Sequence, residues 1–209
     1  MFPRQGCSRG AARKPIANDF RTPRNAFRLR CVGKQAVDMV IHGSLAEYAI
    51  AGARCRIRDP EAAVASVQRW ALSHDTEVLL IDARAVFGRD HLESAVRHAL
   101  RARRTKSMLA RTVGMETLLY LTGQHQVSTA LRIAGLRKGT TRVALVAFGE
   151  LPVSSFLKEK GWTRADSVLE PGGKSLHRLR VTSAERGTVP ASRQHDLALE
   201  RVALLDVVK

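Results

Sequence analysis

Between positions 97 and 126 the chain gathers the side chains best suited to holding a nucleic acid. Arg97, Arg101, Arg103, Arg104, Lys106 and Arg111 fall within fifteen positions. Guanidinium forks match phosphate oxygens two at a time, and a lysine adds a compact point charge. Thr122, Gly123, Gln124, His125 and Gln126 follow. The amides of Gln124 and Gln126 can each donate and accept, which is what reading the edges of unpaired bases requires. The candidate phosphate contacts are therefore Arg103, Arg104, Lys106 and Arg111. The remaining candidate nucleic-acid contacts are Thr122, Gly123, Gln124 and Gln126, of which the two amides would read base edges. A solvated charged face is the plainer account of the arginines.

Other chemistries are poorly provided for. The seven histidines show no metal-ligand spacing, and no His/Cys cluster exists, so neither a metal nor a cofactor is expected. His125 has no serine or cysteine nucleophile paired with it by a recognisable motif, and no two carboxylates stand out for acid–base work. Glu116 reads as a buried-helix carboxylate paired with an arginine. Gly172-Gly173-Lys174-Ser175 has the ending of a phosphate-binding loop, but the glycine that pattern needs five places before Gly173 is Val168. A turn before a basic helix accounts for it better. The expectation is a protein that is not itself an enzyme.

Two helices must position the candidate residues. The spacing predicts one over 107–122, with Ser107 as N-cap, and a second over 126–134. In the second, Val127, Ala130, Leu131 and Ala134 form an apolar stripe, and Gly123 stands where a left-handed residue would close the first. Helix–glycine–helix also resembles a helix-turn-helix, in which Gln126, Ser128, Thr129 and Arg132 would enter a DNA major groove. A DNA-binding regulator is therefore the rival reading, although no wing or dimer element is evident.

The surrounding text alternates short apolar runs with helical periods. Strands are predicted at 40–41, 48–50, 77–82, 141–147 and 167–169. Asp59 and Pro60 open a helix that buries Val64, Val67 and Leu72; Asp90 and Glu93 open another in a capping-box arrangement, running to 104. Further helices are expected over 151–160, 175–185 and 194–205. The fold class is α+β, a single mixed sheet covered by helices with a C-terminal helix. That last helix carries Leu197, Val202, Leu204 and Leu205, a wider apolar surface than a lone terminal helix needs, which suggests a partner groove.

The formal charge of +16 favours a polyanionic partner. Residues 1–38 hold nine basic residues against two acidic ones, with three prolines and no sustained apolar period. They read as a basic, disordered extension or as sequence upstream of a true start at Met39, so the domain is taken as 39–209. No run of about 18 apolar residues occurs, so no membrane span is expected. Cys7, Cys31 and Cys55 are odd in number and widely spaced, the pattern of a reduced, cytoplasmic protein.

The run T-K-x-x-L-A-x-T-x-x-M-E-x-L-L-Y-L-T-G-x-x-Q-V-x-x-A-L-x-x-x-G, from Thr105 to Gly135, resembles the small kinase-binding (TPRKB-like) subunit of the KEOPS complex, archaeal type. Met39-Val40-Ile41-His42-Gly43 and Leu199-Glu200-Arg201-Val202-Ala203-Leu204-Leu205 extend the resemblance. It implies a non-catalytic subunit that binds the complex's small atypical kinase/ATPase and the single-stranded 3′ CCA end of tRNA. Through the kinase it would associate indirectly with the threonylcarbamoyl-transferase subunit and support N6-threonylcarbamoyladenosine modification. The kinase face it implies is Leu197, Glu200, Arg201, Leu204 and Leu205. Arg111 stands where relatives often have asparagine.

Overall fold

The computed structural model describes residues 48–149 and 152–207. The expectations for residues 1–38 and for a strand at 40–41 lie outside the described residues. One four-stranded sheet, in the order β2-β3-β1-β4, is built from β1 (Tyr48–Arg54), β2 (Glu77–Asp82), β3 (Arg142–Phe148) and the two-residue β4 (Thr163–Arg164). Among the described residues seven α-helices accompany it, so the α+β class holds; the pairing is antiparallel at every neighbour rather than mixed. The inner strands read as continuous apolar runs because both faces are covered.

On one face Ile50, Leu79, Ile81, Ala144 and Val146 pack under α2 (Arg89–Arg104), α3 (Val113–Thr122) and α7 (Asp196–Val207). On the other, Ala53, Leu80, Val143 and Leu145 meet α1 (Pro60–Ser73) and α5 (Val153–Glu159). α1 begins as its sequence predicts, with Pro60 in the first turn and the Asp59 carboxylate accepting from the Ala62 N–H at 3.1 Å. Its buried side differs from expectation. Val67 and Trp70 are buried, whereas Leu72 is 78 % exposed because it falls off the apolar stripe at the helix end.

Three further elements depart from the expected pattern. Residues 166–169 form a 3₁₀ turn rather than a strand, since Gly88 N–H rather than a neighbouring strand takes the Leu169 carbonyl. The basic helix expected over 175–185 is split into a 3₁₀ turn and the short α6 (Ser183–Gly187), broken where Arg180 adopts φ 59°. α2 starts after Gly88, without a side-chain cap, so Asp90 sits in its first turn rather than at its cap.

Candidate nucleic-acid and partner interface

The basic stretch is divided by where α2 stops. Lys106 takes φ 57°, Ser107 N–H returns to the Ala102 carbonyl at 2.9 Å, and Lys106 N–H returns to Arg103 at 3.2 Å. This paired closure ends a helix through a left-handed residue. Ser107 therefore completes α2 instead of capping the next helix, and residues 107–112 form a loop. The cap of α3 is Thr112, whose hydroxyl accepts from the Met115 N–H at 3.3 Å. Lys106 and Arg104 thus lie at the exit of α2, not at the start of α3.

The loop is held from beneath. Glu116 is fully buried, and its Oε2 accepts from the N–H groups of Leu109 and Ala110 at 2.9 and 2.7 Å. Backbone amides that would otherwise need water are satisfied by one carboxylate. Nearby, Gly114 N–H donates to Glu77 Oε1 at 2.7 Å, which ties the start of α3 to the start of β2. An added Cβ on Gly114 would lie 2.6 Å from that oxygen, so a side chain there would displace the Glu77 carboxylate. Above this frame Arg103, Arg104, Lys106 and Arg111 are exposed, and Leu109 is 49 % exposed. Arg103, Lys106 and Arg111 meet no carboxylate among the described residues. Arg97 and Arg101, by contrast, pair with Glu93 and Asp206.

At the opposite end of α3 the polar residues are already engaged. Thr122 is fully buried and its hydroxyl donates to the Leu118 carbonyl at 2.8 Å. Gly123 closes the helix at φ 60°, as its position predicts, and α7 passes so close that an added Cβ would lie 3.1 Å from the Arg201 carbonyl. The Gln124 amide donates to the Thr122 and Gly123 carbonyls at 3.2 and 3.0 Å. Thr122 is thus buried with its hydroxyl spent within the helix, and Gly123 lies half-buried against α7. Gln126 remains exposed at the N-cap of α4 (Val127–Ala134) without a side-chain cap bond, and His125 is exposed beside it. In α4 itself Ala130 and Ala134 are buried, whereas Leu131 is 45 % exposed. Because α3 has ten residues, its two ends stand about 15 Å apart. The loop and the joint are therefore two places, not one combined pocket.

Beneath the joint, His91 is fully buried. Its Nε2 donates to the Leu121 carbonyl at 3.1 Å while Nδ1 accepts from the Phe87 N–H at 3.2 Å. Burial drives its pKa down to about 3, so the ring is neutral and fixed in one tautomer.

α7 separates the expected partner residues by face. Leu197 and Leu205 are buried at 6 % and 1 %, in the chain's own core, which corrects their assignment to an open surface. Arg201 is half-buried, paired with Glu185 at 2.5 Å and donating to the Arg180 carbonyl. Glu200, Ala203, Leu204 and Val207 share the outward face, where Val207 is 79 % exposed. Asp206 anchors the helix end: Tyr120 donates to it, and His98 and Arg101 contact it from α2. Its burial works against ionisation, yet the bonds from Tyr120 and His98 and the charge of Arg101 hold its carboxyl below the usual range.

Lys174, in the glycine-rich turn, is a structural cation. Its Nζ donates to the Val86, Val168 and Leu169 carbonyls at 2.6, 2.7 and 3.0 Å, leaving no hydrogen for a phosphate. Burial, with the nearby Arg142 charge, lowers its pKa to about 8. Sequence reading missed this role and that of Asp206, because their partners come from distant elements; it placed Glu116 in the core without foreseeing the loop amides it holds. Among the described residues no group of three or more His, Cys, Asp or Glu could hold a metal ion, and no helix is long and apolar enough to cross a membrane. Cys55 is a free thiol whose pKa burial raises to about 11.

Comparison with known families gives one finding. The family model described as kinase binding protein CGI-121 matches residues 59–176, from the cap of α1 through the glycine-rich turn and including the loop and the joint. α7 lies outside that match. Comparison with curated proteins returned no match.

Proposed function

The chain belongs to the family of kinase binding protein CGI-121, and from that premise we propose that it is the non-catalytic regulatory subunit of a cytoplasmic KEOPS complex. In this reading it binds the small kinase/ATPase of the complex and the 3′ CCA end of tRNA. Through the kinase it assists threonylcarbamoyladenosine formation by the transferase subunit. The observation that carries the RNA half is the pinned loop of residues 107–112 with its flanks. Arg103, Lys106 and Arg111 stand exposed there without carboxylate partners, over a backbone fixed by Glu116. A fixed loop with uncompensated cations attracts phosphates at little ordering cost. Gln126 is the exposed amide left to meet a base. What supports the kinase half, beyond family membership, is the outward face of α7, where Glu200, Ala203, Leu204 and Val207 leave an apolar strip uncovered.

The test is co-purification followed by titration. The chain is expected to retain a small kinase and tRNA, and to bind intact tRNA more tightly than tRNA trimmed of its CCA end. Equal affinities would end the CCA reading, and retention of duplex DNA instead would favour the helix-turn-helix alternative. Leu204→Asp is expected to weaken kinase capture while leaving the melting temperature within a degree or two. Capture at full strength would remove this face from the interface.

A further inference from the structure

The last carbonyls of α4 are capped from outside the helix. Arg137 donates to the Arg132 carbonyl at 2.5 Å, and Arg178 NH1 donates to the Ile133 carbonyl at 2.7 Å. Cations at a helix C-terminus are favoured by its dipole, but each cap uses only one of five guanidinium hydrogens. Arg84 joins them from the turn after β2, held by Asp82 through Nε and NH2 at 3.0 and 2.7 Å. Asp82 is fully buried, and its Oδ2 also lies 3.6 Å from Arg178 NH1. Arg132 lies exposed in the last turn of α4, its carbonyl taken by Arg137 and its NH2 donating back to the Thr129 hydroxyl at 3.2 Å.

One carboxylate therefore answers two guanidiniums, those of Arg84 and Arg178. Among the described residues no second carboxylate forms an ion pair with Arg84, Arg132, Arg137 or Arg178. The crowding has an electrostatic mark: burial first, then the Arg84 and Arg137 charges, push the Arg178 pKa below its ordinary value against the pull of Asp82. Folding has thus brought together a cationic group that an incoming anion would complete. Planar forks with spare N–H groups are the donor set that phosphates take up bidentately. α4 has eight residues, which places this group about 12 Å from its N-terminal Gln126.

We infer that Arg84, Arg132, Arg137 and Arg178 form a second phosphate-binding surface, which holds the backbone of the RNA whose unpaired end meets the α3–α4 joint. This rests on the tRNA reading above and extends it from the end of the molecule to its duplex arm. RNA is favoured over an acidic protein because the chain as a whole carries +16 and the forks suit phosphate geometry.

The test uses the full chain with labelled tRNA across a salt series. Arg132→Gln combined with Arg137→Gln is expected to weaken binding about tenfold, and to make the slope of log K against log salt shallower by about two, near 0.9 per phosphate contact. Intact and trimmed tRNA should suffer equally, whereas Gln126→Ala should narrow the difference between them. An unchanged affinity and slope would overturn the inference. So would loss of kinase capture with tRNA binding intact, which would assign the surface to a protein. Should the double variant melt early, phenylglyoxal modification of the unmutated chain decides instead: bound tRNA should protect Arg132 and Arg137, and absence of protection rejects the surface. Equal binding of intact and trimmed tRNA by the unmutated chain would remove the end-binding reading alone.

Discussion

At the N-terminal end of α3, Lys106 and Arg111 are exposed on a loop whose amides are satisfied from below by Glu116. At its C-terminal end, Thr122 and Gln124 turn their polar atoms back onto the helix's own carbonyls, and α7 covers Gly123. Both ends look polar in sequence. They differ in who supplies the hydrogen-bond partners. At the loop a buried residue satisfies the backbone, so the exposed side chains stay available. At the joint the side chains do that work themselves, and only Gln126 and His125 remain outside. A polar cluster marks a site only where something else has satisfied the backbone.

This contrast can be broken most strongly at the joint by displacing its cover. Leu205→Asp would bury a carboxylate among core residues of α7 and should cost at least about 4 kcal/mol, seen as loss of cooperative melting. A folded, normally stable variant would show that α7 does not seal the joint. Leu204→Asp, one residue away on the outer face, provides the control.

Acid should act next, and on the same end. The folded pKa of His91 lies near 3, below the 6.5 of a free ring, so the unfolded chain takes up the proton first. The stability due to the neutral ring is complete above pH 6.5 and is lost as pH falls toward 3, at up to about 1.4 kcal/mol per pH unit. Denaturant titrations at pH 7 and 5 should differ accordingly, and His91→Gln should flatten the difference. An equally steep dependence in the variant would point to other groups.

At the loop, Glu116→Gln keeps the shape but removes the charge that accepts two N–H bonds, for an expected cost of about 1–3 kcal/mol. Amide exchange at Leu109 and Ala110 should accelerate more than at Leu121. Uniform acceleration would mean that Glu116 supports the whole helix rather than the loop. The smallest effect sharpens the comparison. Lys106→Gly should relieve the left-handed backbone and stabilise the chain by up to about 1 kcal/mol, while tRNA affinity falls and the salt slope loses about one contact. A gain in stability without loss of binding would leave Lys106 a capping residue only.

Much of this molecule was legible in its residues. The positions of β2 and β3, the Asp59-Pro60 start of α1 and the Gly123 closure follow from local periodicity, capping and glycine chemistry, and the motif of the central run carries the family resemblance. Such signals act over a turn or two of chain, and the sequence states them directly. What only the tertiary structure decided concerns partners distant in the chain. Lys174 cannot be known as a structural cation until the Val86 carbonyl, 88 positions away, is seen accepting its hydrogen bond. Leu204 and Leu205 are adjacent and equally apolar, yet one is 40 % exposed and the other 1 %, because the position of α7 against α2 and α3 sets its rotation. Arg84, Arg137 and Arg178 span almost a hundred positions and gather around the last turn of α4, which carries Arg132. Composition determined that the chain is strongly basic; where that charge goes uncompensated depends on which carboxylates folding brings within a few ångströms.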